Sequence, residues 1–368
     1  MTSLSLDRAR QLAKTLPSSL TPLVVMDSTA LSAMCRSYQN AFHGMEIYFS
    51  VKANNQPGVL KIFLDNGLGF DVASWNEIEI LKANQTPPER IIYSAPIKKA
   101  DDIARAFEFG VRTFVFDSMM ELEKLARNAP GAALQLRLVV GNEGSDWPLE
   151  RKFGVEVEEG VGLMLAAADK GMLPAGVTFH VGSQNRDPQA WGKAIEKAGM
   201  FYERLEKKGL GLSILDVGGG YPAQYGYDLP DLTEYAQAIR SAANQHFPES
   251  TRIFLEPGRG LVGPAGVLLA RVVSRAQRGD EDWLYVDAGV FHGLIEARDG
   301  FRFPIHALRE SDDCKPYVVS GATCDSADVI QEGVILPADL DLDDRVLIFS
   351  AGAYVNALEK YNGYTFPP

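Results

Sequence analysis

Three cysteines in 368 residues, Cys35, Cys314 and Cys324, are too few and too scattered for a disulfide framework or a zinc site. That usage fits a reducing compartment. Long apolar runs are also missing. Nothing approaches the roughly 18 apolar residues that span a bilayer. The N-terminal MTSLSLDRARQLAKTL alternates apolar and charged residues where a secretory leader would carry an unbroken apolar core. Positive charge is in deficit: 36 lysines and arginines stand against 48 acids, a net charge of −12. The chain therefore lacks the basic stripe that a nucleic-acid backbone requires. Low-complexity tracts and internal repeats are absent as well. What remains, 46% hydrophobic and 23% charged residues, is the composition of an acidic globular enzyme, expected in the cytoplasm with neither nucleic acid nor membrane as partner.

Short β-rich apolar runs recur along the first two thirds: EIYFSVKAN (46–54), GFDVAS (69–74), IIYSAP (91–96), TFVFDS (113–118), LQLRLVV (134–140), VTFHVGS (177–183), SILDVGGGYP (213–222) and IFLEPGR (253–259). Segments between them, such as KKADDIARAFEFG and DLTEYAQAIRSAANQHF, carry apolar residues at helical spacing. Strand and helix in alternation predict a parallel sheet. Eight units over about 215 residues match a (β/α)8 barrel; a doubly wound open sheet shows the same alternation, and counting does not separate the two. After Arg259 the texture changes to strand-like runs joined by Gly, Pro and Asp turns, among them GPAGVLLARVVSRAQ, DWLYVDAG and DRVLIFSAGAY. The expected organisation is a lead-in over 1–28, whose LVVMDS contributes a strand to a β domain, a barrel over 29–260, and a C-terminal all-β domain, sandwich-like or barrel-like, over 261–368.

In such a barrel, chemistry gathers at the C-terminal strand ends. Those ends carry Lys52, Asp71, Arg137, His180 with Ser183, Asp216 with Gly218-Gly219-Gly220, and Glu256 with Gly258 and Arg259. Lys52 in SVKAN reads either as a snorkelling or ion-paired lysine or as a Schiff-base lysine, for which desolvation is useful. The glycine triplet reads either as a tight turn or as an anion cradle of backbone N–H groups, and Gly258-Arg259-Gly260 offers a second backbone approach with a guanidinium. Glu256 is either a loop carboxylate or the partner of a protonated pyridine nitrogen. His180 is either a core histidine or a ring stacked on such a pyridine. Cys324 lies in the polar TCDSAD, where a small buried hydrophobe is out of place and a proton-donating thiol is reasonable.

Taken in order, YFSVKAN, GFDVAS, FHVGS, LDVGGGYP, EPGR, TCDSAD and GAY resemble the fold-type III pyridoxal-phosphate (PLP) decarboxylases, which act on ornithine, lysine, diaminopimelate and arginine. DWPLERKFG (146–154) and GVFHGLIEARDG (289–300) look most like the bacterial ornithine/lysine branch. The resemblance runs from about residue 20 to the end of the chain. It implies that Lys52 links covalently to the cofactor, that His180 stacks on the ring, and that Glu256 pairs with the pyridine nitrogen. It implies that Ser183, Gly219, Gly220, Arg259 and Tyr354 hold the phosphate, with Asp71 and Arg137 near the ring. Cys324 would reprotonate the α-carbon after carbon dioxide leaves, and Asp325 would receive the substrate's distal amino group. Both would reach into a neighbouring subunit's site, making the active unit a head-to-tail homodimer with composite sites.

A basic amino acid needs a carboxylate at its far end. Asp325 and Asp299 are candidates, with Glu296 weaker, which favours L-ornithine or L-lysine. Arg298 beside Asp299 either points to solvent or pairs with Asp299, or would suit a distal carboxylate instead, as in meso-diaminopimelate or a carboxylated conjugate from a siderophore or polyamine pathway. CDSAD carries Asp where diaminopimelate enzymes usually carry Glu. A non-catalytic regulatory homologue would be expected to have lost Lys52, Cys324 or the glycine loop, and all three are present. His292 has no assigned role.

Overall fold

The structure is a computed structural model that describes residues 3–17, 19–149, 151–291, 293–357, 360–361 and 364–365. His292 lies outside the described residues. In chain order the strands are β1 (Leu23–Met26), β2 (Glu46–Ser50), β3 (Gly69–Val72), β4 (Ile91–Tyr93), β5 (Thr113–Phe116), β6 (Ala133–Arg137), β7 (Ser145–Trp147), β8 (Leu173–Thr178), β9 (Ser183–Asn185), β10 (Ile214–Asp216) and β11 (Arg252–Leu255). They continue with β12 (Gly266–Arg278), β13 (Glu281–Val286), β14 (Ile305–Ala307), β15 (Cys314–Gly321), β16 (Val329–Pro337) and β17 (Arg345–Phe349).

The chain divides into two compact units. The first spans Cys35–Pro222 and Leu229–Leu261. Its parallel strands close on themselves in the order β10-β11-β2-β3-β4-β5-β6-β8. This is a (β/α)8 barrel, and the open-sheet alternative is excluded. The connecting helices start where local sequence dictates. Ser74 and Ser118 cap the helices Trp75–Ala83 and Met119–Asn128 by accepting the backbone N–H of Glu77 and Glu121, and Asp231 with Glu234 forms a capping box for Leu232–His246.

Ladder pairing is shorter than the apolar runs. Pairing in EIYFSVKAN stops at Ser50, and Val51–Ala53 turns in a 3-10 helix. In SILDVGGGYP only Ile214–Asp216 pairs, because the glycine triplet leaves the ladder for the rim. The run 177–183 is split. Its strand starts earlier, at Leu173, while Ser183 opens β9, which pairs antiparallel with β7 outside the barrel.

The second unit contains the chain up to Met34, Ala223–Asp228, and the chain from Val262 on. The long β12 organises it. β1 and β17 pair antiparallel with the first half of β12, Leu23 opposite Leu269 and Val267 opposite Phe349. β13 pairs with the second half, and β15 and β16 extend the sheet. Among the described residues no helix is long and apolar enough to cross a membrane.

A buried ion cluster braces the barrel rim. Lys98 Nζ lies 3.0 Å from Glu121 Oε1 and donates to the carbonyls of Ala95 (2.8 Å) and Val115 (2.6 Å). Lys124 Nζ lies 2.5 Å from the other oxygen of Glu121. Burial pushes the Lys98 ammonium down to about 8, so Glu121 is what keeps it tolerable as a cation. Replacing Glu121 with alanine should destabilise the protein by about 3 kcal/mol, the cost of stranding a buried charge. Urea unfolding measures it, and an unchanged midpoint would show that the cluster contributes nothing net.

Candidate active site

Tyr48, Ile92, Ala175, Ile214 and Phe254 pack as an apolar floor inside the barrel, with Ala133 against them. Side chains alternate along a strand. Two residues further along β2, β6 and β10, and just past β11, the inward face therefore carries Ser50, Gln135, Asp216 and Glu256, all buried. Another two along β6 bring Arg137. The interior changes within one residue pair from apolar to polar, at the end where the loops meet.

Lys52 leaves the end of β2 on the 3-10 turn. Its side chain is 46% exposed and its ammonium stands 3.5 Å from Asp71 Oδ2. The sequence suggested a lysine at the end of a buried strand; the turn instead carries it out of the ladder into an open position beside one carboxylate. Asp71 is held by two hydroxyls. Ser50 Oγ donates to its Oδ2 at 2.5 Å, and Ser94 Oγ donates to its Oδ1.

Glu256 follows β11. Its backbone N–H donates to Gly218 O at 2.9 Å. Its side-chain Oε1 is buried and accepts no hydrogen bond among the described residues. Burial, reinforced by the charges of Asp216 and Asp71, raises its pKa well above the usual carboxylate range, against the opposing pull of Lys52 and Arg137. Arg137 sits within the field of four carboxylates, Glu256, Asp117, Asp71 and Asp216, with its guanidinium over the Phe153 ring at 5.3 Å.

His180 follows β8. Its Nδ1 accepts the backbone N–H of Gly182 at 3.0 Å, which places the ring hydrogen on Nε2. Burial first, then Arg137 and Lys52, push its pKa well below the ordinary value, so the imidazole is neutral. Gly219 lies beneath it. A Cβ there would fall 2.7 Å from Glu256 O and 3.2 Å from His180 Nε2. Gly220 has φ +114, and a Cβ there would meet Gly182 O at 2.5 Å. Larger residues cannot occupy either place without moving backbone. Beside this loop Arg259 Nε donates to Ser183 Oγ at 3.2 Å, and Arg259 is buried. Gly258 precedes it, its carbonyl accepting Leu261 N–H at 3.1 Å.

These residues fit pyridoxal phosphate. Glu256 Oε1 is a desolvated acceptor without a donor, which a protonated ring nitrogen would satisfy. A neutral imidazole over a glycine leaves a flat slot. Glycine backbone, a serine hydroxyl and a buried guanidinium supply the donors a phosphate takes.

The other sequence-predicted residues lie in the second unit. Cys324 is exposed. Asp325 Oδ1 accepts Ala327 N–H at 2.9 Å. Their loop is tied by buried Asp328, which accepts Val290 N–H at 2.8 Å and the Thr323 hydroxyl at 2.5 Å. Asp299, exposed, ends a 3-10 turn. The Arg298 guanidinium stacks over Phe291 at 5.6 Å. Tyr354 sits at φ +64. Sequence reasoning named Asp216 at its strand end without a role and passed over three side chains in the barrel. Ser50 and Ser94 gave no signal. Glu77, whose carboxyl burial raises to about 7 while it accepts Ala73 N–H at 2.6 Å, could have been found from the S-x-x-E spacing with Ser74.

A family model described as pyridoxal-dependent decarboxylase, pyridoxal binding domain, matches residues 29–263. The chain is 32% identical to a lysine/ornithine decarboxylase of Selenomonas ruminantium, over 99% of this chain and 92% of the other. It is 33% identical to a diaminopimelate decarboxylase of Pseudomonas aeruginosa, over 91% and 83%. A crystal structure of lysine/ornithine decarboxylase from Vibrio vulnificus complexed with cadaverine superimposes with a TM-score of 0.91 at 29% identity, covering 99% and 97% of the two chains. With a closed barrel whose mouth fits the cofactor and a family match over most of its length, the chain belongs to the pyridoxal-dependent decarboxylases.

Proposed function

We propose that the protein decarboxylates a basic L-amino acid, L-ornithine or L-lysine, in the cytoplasm, yielding putrescine or cadaverine. The observation that carries this reading is the buried, donorless Oε1 of Glu256 in the same barrel mouth as Lys52. The cofactor, when bound, supplies an electron sink for the pair left behind as carbon dioxide departs. Glu256 keeps the ring nitrogen protonated. Lys52 would hold the cofactor through its amine, and Asp71, 3.5 Å from that nitrogen, would keep it oriented. His180, neutral, packs on the ring without adding charge. Ser183, Gly219, Gly220, Arg259 and Tyr354 anchor the phosphate.

The active unit in this reading is a homodimer, in which Cys324 and Asp325 of one subunit complete the other's site. The exposure of Cys324 and the tying of its loop by Asp328 support a thiol presented on a fixed loop. Asp325 or Asp299 would receive the distal ammonium. A distal carboxylate is the second reading, favoured by the exposed Arg298 held on Phe291 and by the likeness to a diaminopimelate enzyme.

Carbon dioxide release from L-ornithine, L-lysine, L-arginine and meso-diaminopimelate, measured with added PLP, separates these readings. Highest kcat/KM on ornithine or lysine is expected, and preference for diaminopimelate selects the second. Lys52→Ala should abolish both turnover and the cofactor's protein-bound absorbance band; full activity in that variant would falsify the assignment. Cys324→Ala should lower kcat by about 100-fold or more, as loss of a proton donor does, with part of the turnover diverted to transamination and PLP affinity unchanged. Unaltered kcat would remove the thiol from the reaction.

A further inference from the structure

Asn185, in β9, is fully buried, and both atoms of its amide are engaged. Nδ2 donates to Val181 O at 2.8 Å and to Glu143 O at 3.2 Å. Oδ1 accepts Asp187 N–H at 3.0 Å. The main chain of the same residue is engaged as well. Its N–H donates to Gly220 O at 2.9 Å, and its carbonyl accepts the Tyr235 hydroxyl at 3.2 Å. One residue thus joins the segments after β6, β8 and β10 to the helix Leu232–His246. Among short side chains only an amide combines two N–H donors with an acceptor.

Two of the segments so joined carry phosphate donors. Ser183 lies two residues before Asn185, and Gly220 is its direct partner. Between Ser183 and Asn185 the chain passes through Gln184 at φ +56, also fully buried. That left-handed conformation is costly for a residue with a Cβ and persists only where the surroundings over-determine it. The bond from Asn185 Nδ2 back to Val181 O closes the loop around Gln184. The β7–β9 ladder, with Ser145 opposite Asn185, holds it from the other side, and Ser145 Oγ donates to Ser183 O at 2.7 Å. Lys52 and Glu256, which would hold the ring, stand at other strand ends.

The geometry assigns Asn185 as a positioning residue for the phosphate cradle: its amide fixes Ser183 against Gly220 and leaves the grip on the ring to other groups. The cradle's use for PLP rests on the reading above; the bracing of its loops does not.

Titrating the full-chain apoprotein with PLP and with pyridoxal, which lacks the phosphate, tests the assignment. In Asn185→Ala two buried carbonyls lose a donor. The PLP dissociation constant should rise about tenfold, equivalent to about 1.4 kcal/mol. That for pyridoxal should stay within about twofold of the parent's. Equal weakening of both is what a merely structural role gives, and it overturns the proposal, as does unaltered PLP binding. Should Asn185→Ala not fold, Tyr235→Phe keeps the ring and removes only the donor to Asn185 O. Its preference for PLP over pyridoxal should fall about threefold, and an unchanged preference overturns the proposal. Amide hydrogen exchange of the apoprotein gives a readout without cofactor. In Asn185→Ala, or in Tyr235→Phe if only that variant folds, the amide at position 185, bonded to Gly220 O, should exchange about tenfold faster, with the amides of β10 unchanged. Unchanged exchange at position 185 overturns the bracing. If the parent itself binds neither PLP nor pyridoxal, the cofactor reading fails while exchange still decides the bracing.

Discussion

Negative charge buried at the mouth of an apolar barrel is the constraint on which this site depends. Asp71, Asp216 and Glu256 all stand above the floor of Tyr48, Ile92, Ile214 and Phe254, and desolvation penalises every one of them when ionised. Two cations and two hydroxyls offset that cost. Arg137 lies in the field of all three acids, Lys52 sits against Asp71, and Ser50 and Ser94 donate to the same carboxylate. Remove the cofactor's ring nitrogen and Glu256 retains a proton; supply it and the same oxygen has a donor. The site's fit for a protonated heteroaromatic ring thus comes from a desolvated acceptor whose cost such a donor offsets.

Position in the barrel divides the labour further. His180 is made neutral by the same burial that makes Glu256 hold its proton, because low polarity disfavours whichever form is charged. The backbone N–H of Gly182 takes up Nδ1, so the imidazole has one fixed tautomer and one fixed orientation. The polar layer is rigid for a related reason: strand ladders place its backbone, and the glycines allow that backbone to close without side chains intervening.

Alternating strand and helix patterns were legible because each barrel strand is flanked by an amphipathic helix, and the texture change after Arg259 marked the passage to antiparallel sheet. Strand limits were not legible. FSVKAN continues to look like a strand after pairing ends at Ser50, since apolar character persists where burial continues without a ladder. The start of β8 at Leu173 is hidden by Pro174 and Gly176, which read as a loop. In the site, Lys52, Asp71, Arg137, His180 and Glu256 stood out as charged or titratable groups directly after apolar runs. Asp216 did the same in LDVGGG, and no local pattern says that it shares a buried layer with Glu256, forty positions later. Ser50 and Ser94 were invisible because a hydroxyl at a strand end is unremarkable until its partner is known.

Glu256 contributes to the barrel mouth twice, and the two contributions come from different atoms. Its N–H and carbonyl belong to the scaffold, joining Gly218 O at 2.9 Å and Ser50 Oγ at 3.3 Å. Its carboxyl belongs to the chemistry. A substitution at this position leaves the main-chain framework in place while replacing the group that faces the ring. The acidity imposed on a bound heterocycle can therefore diverge among descendants of this barrel by exchange of one side chain, with the anion cradle inherited unchanged.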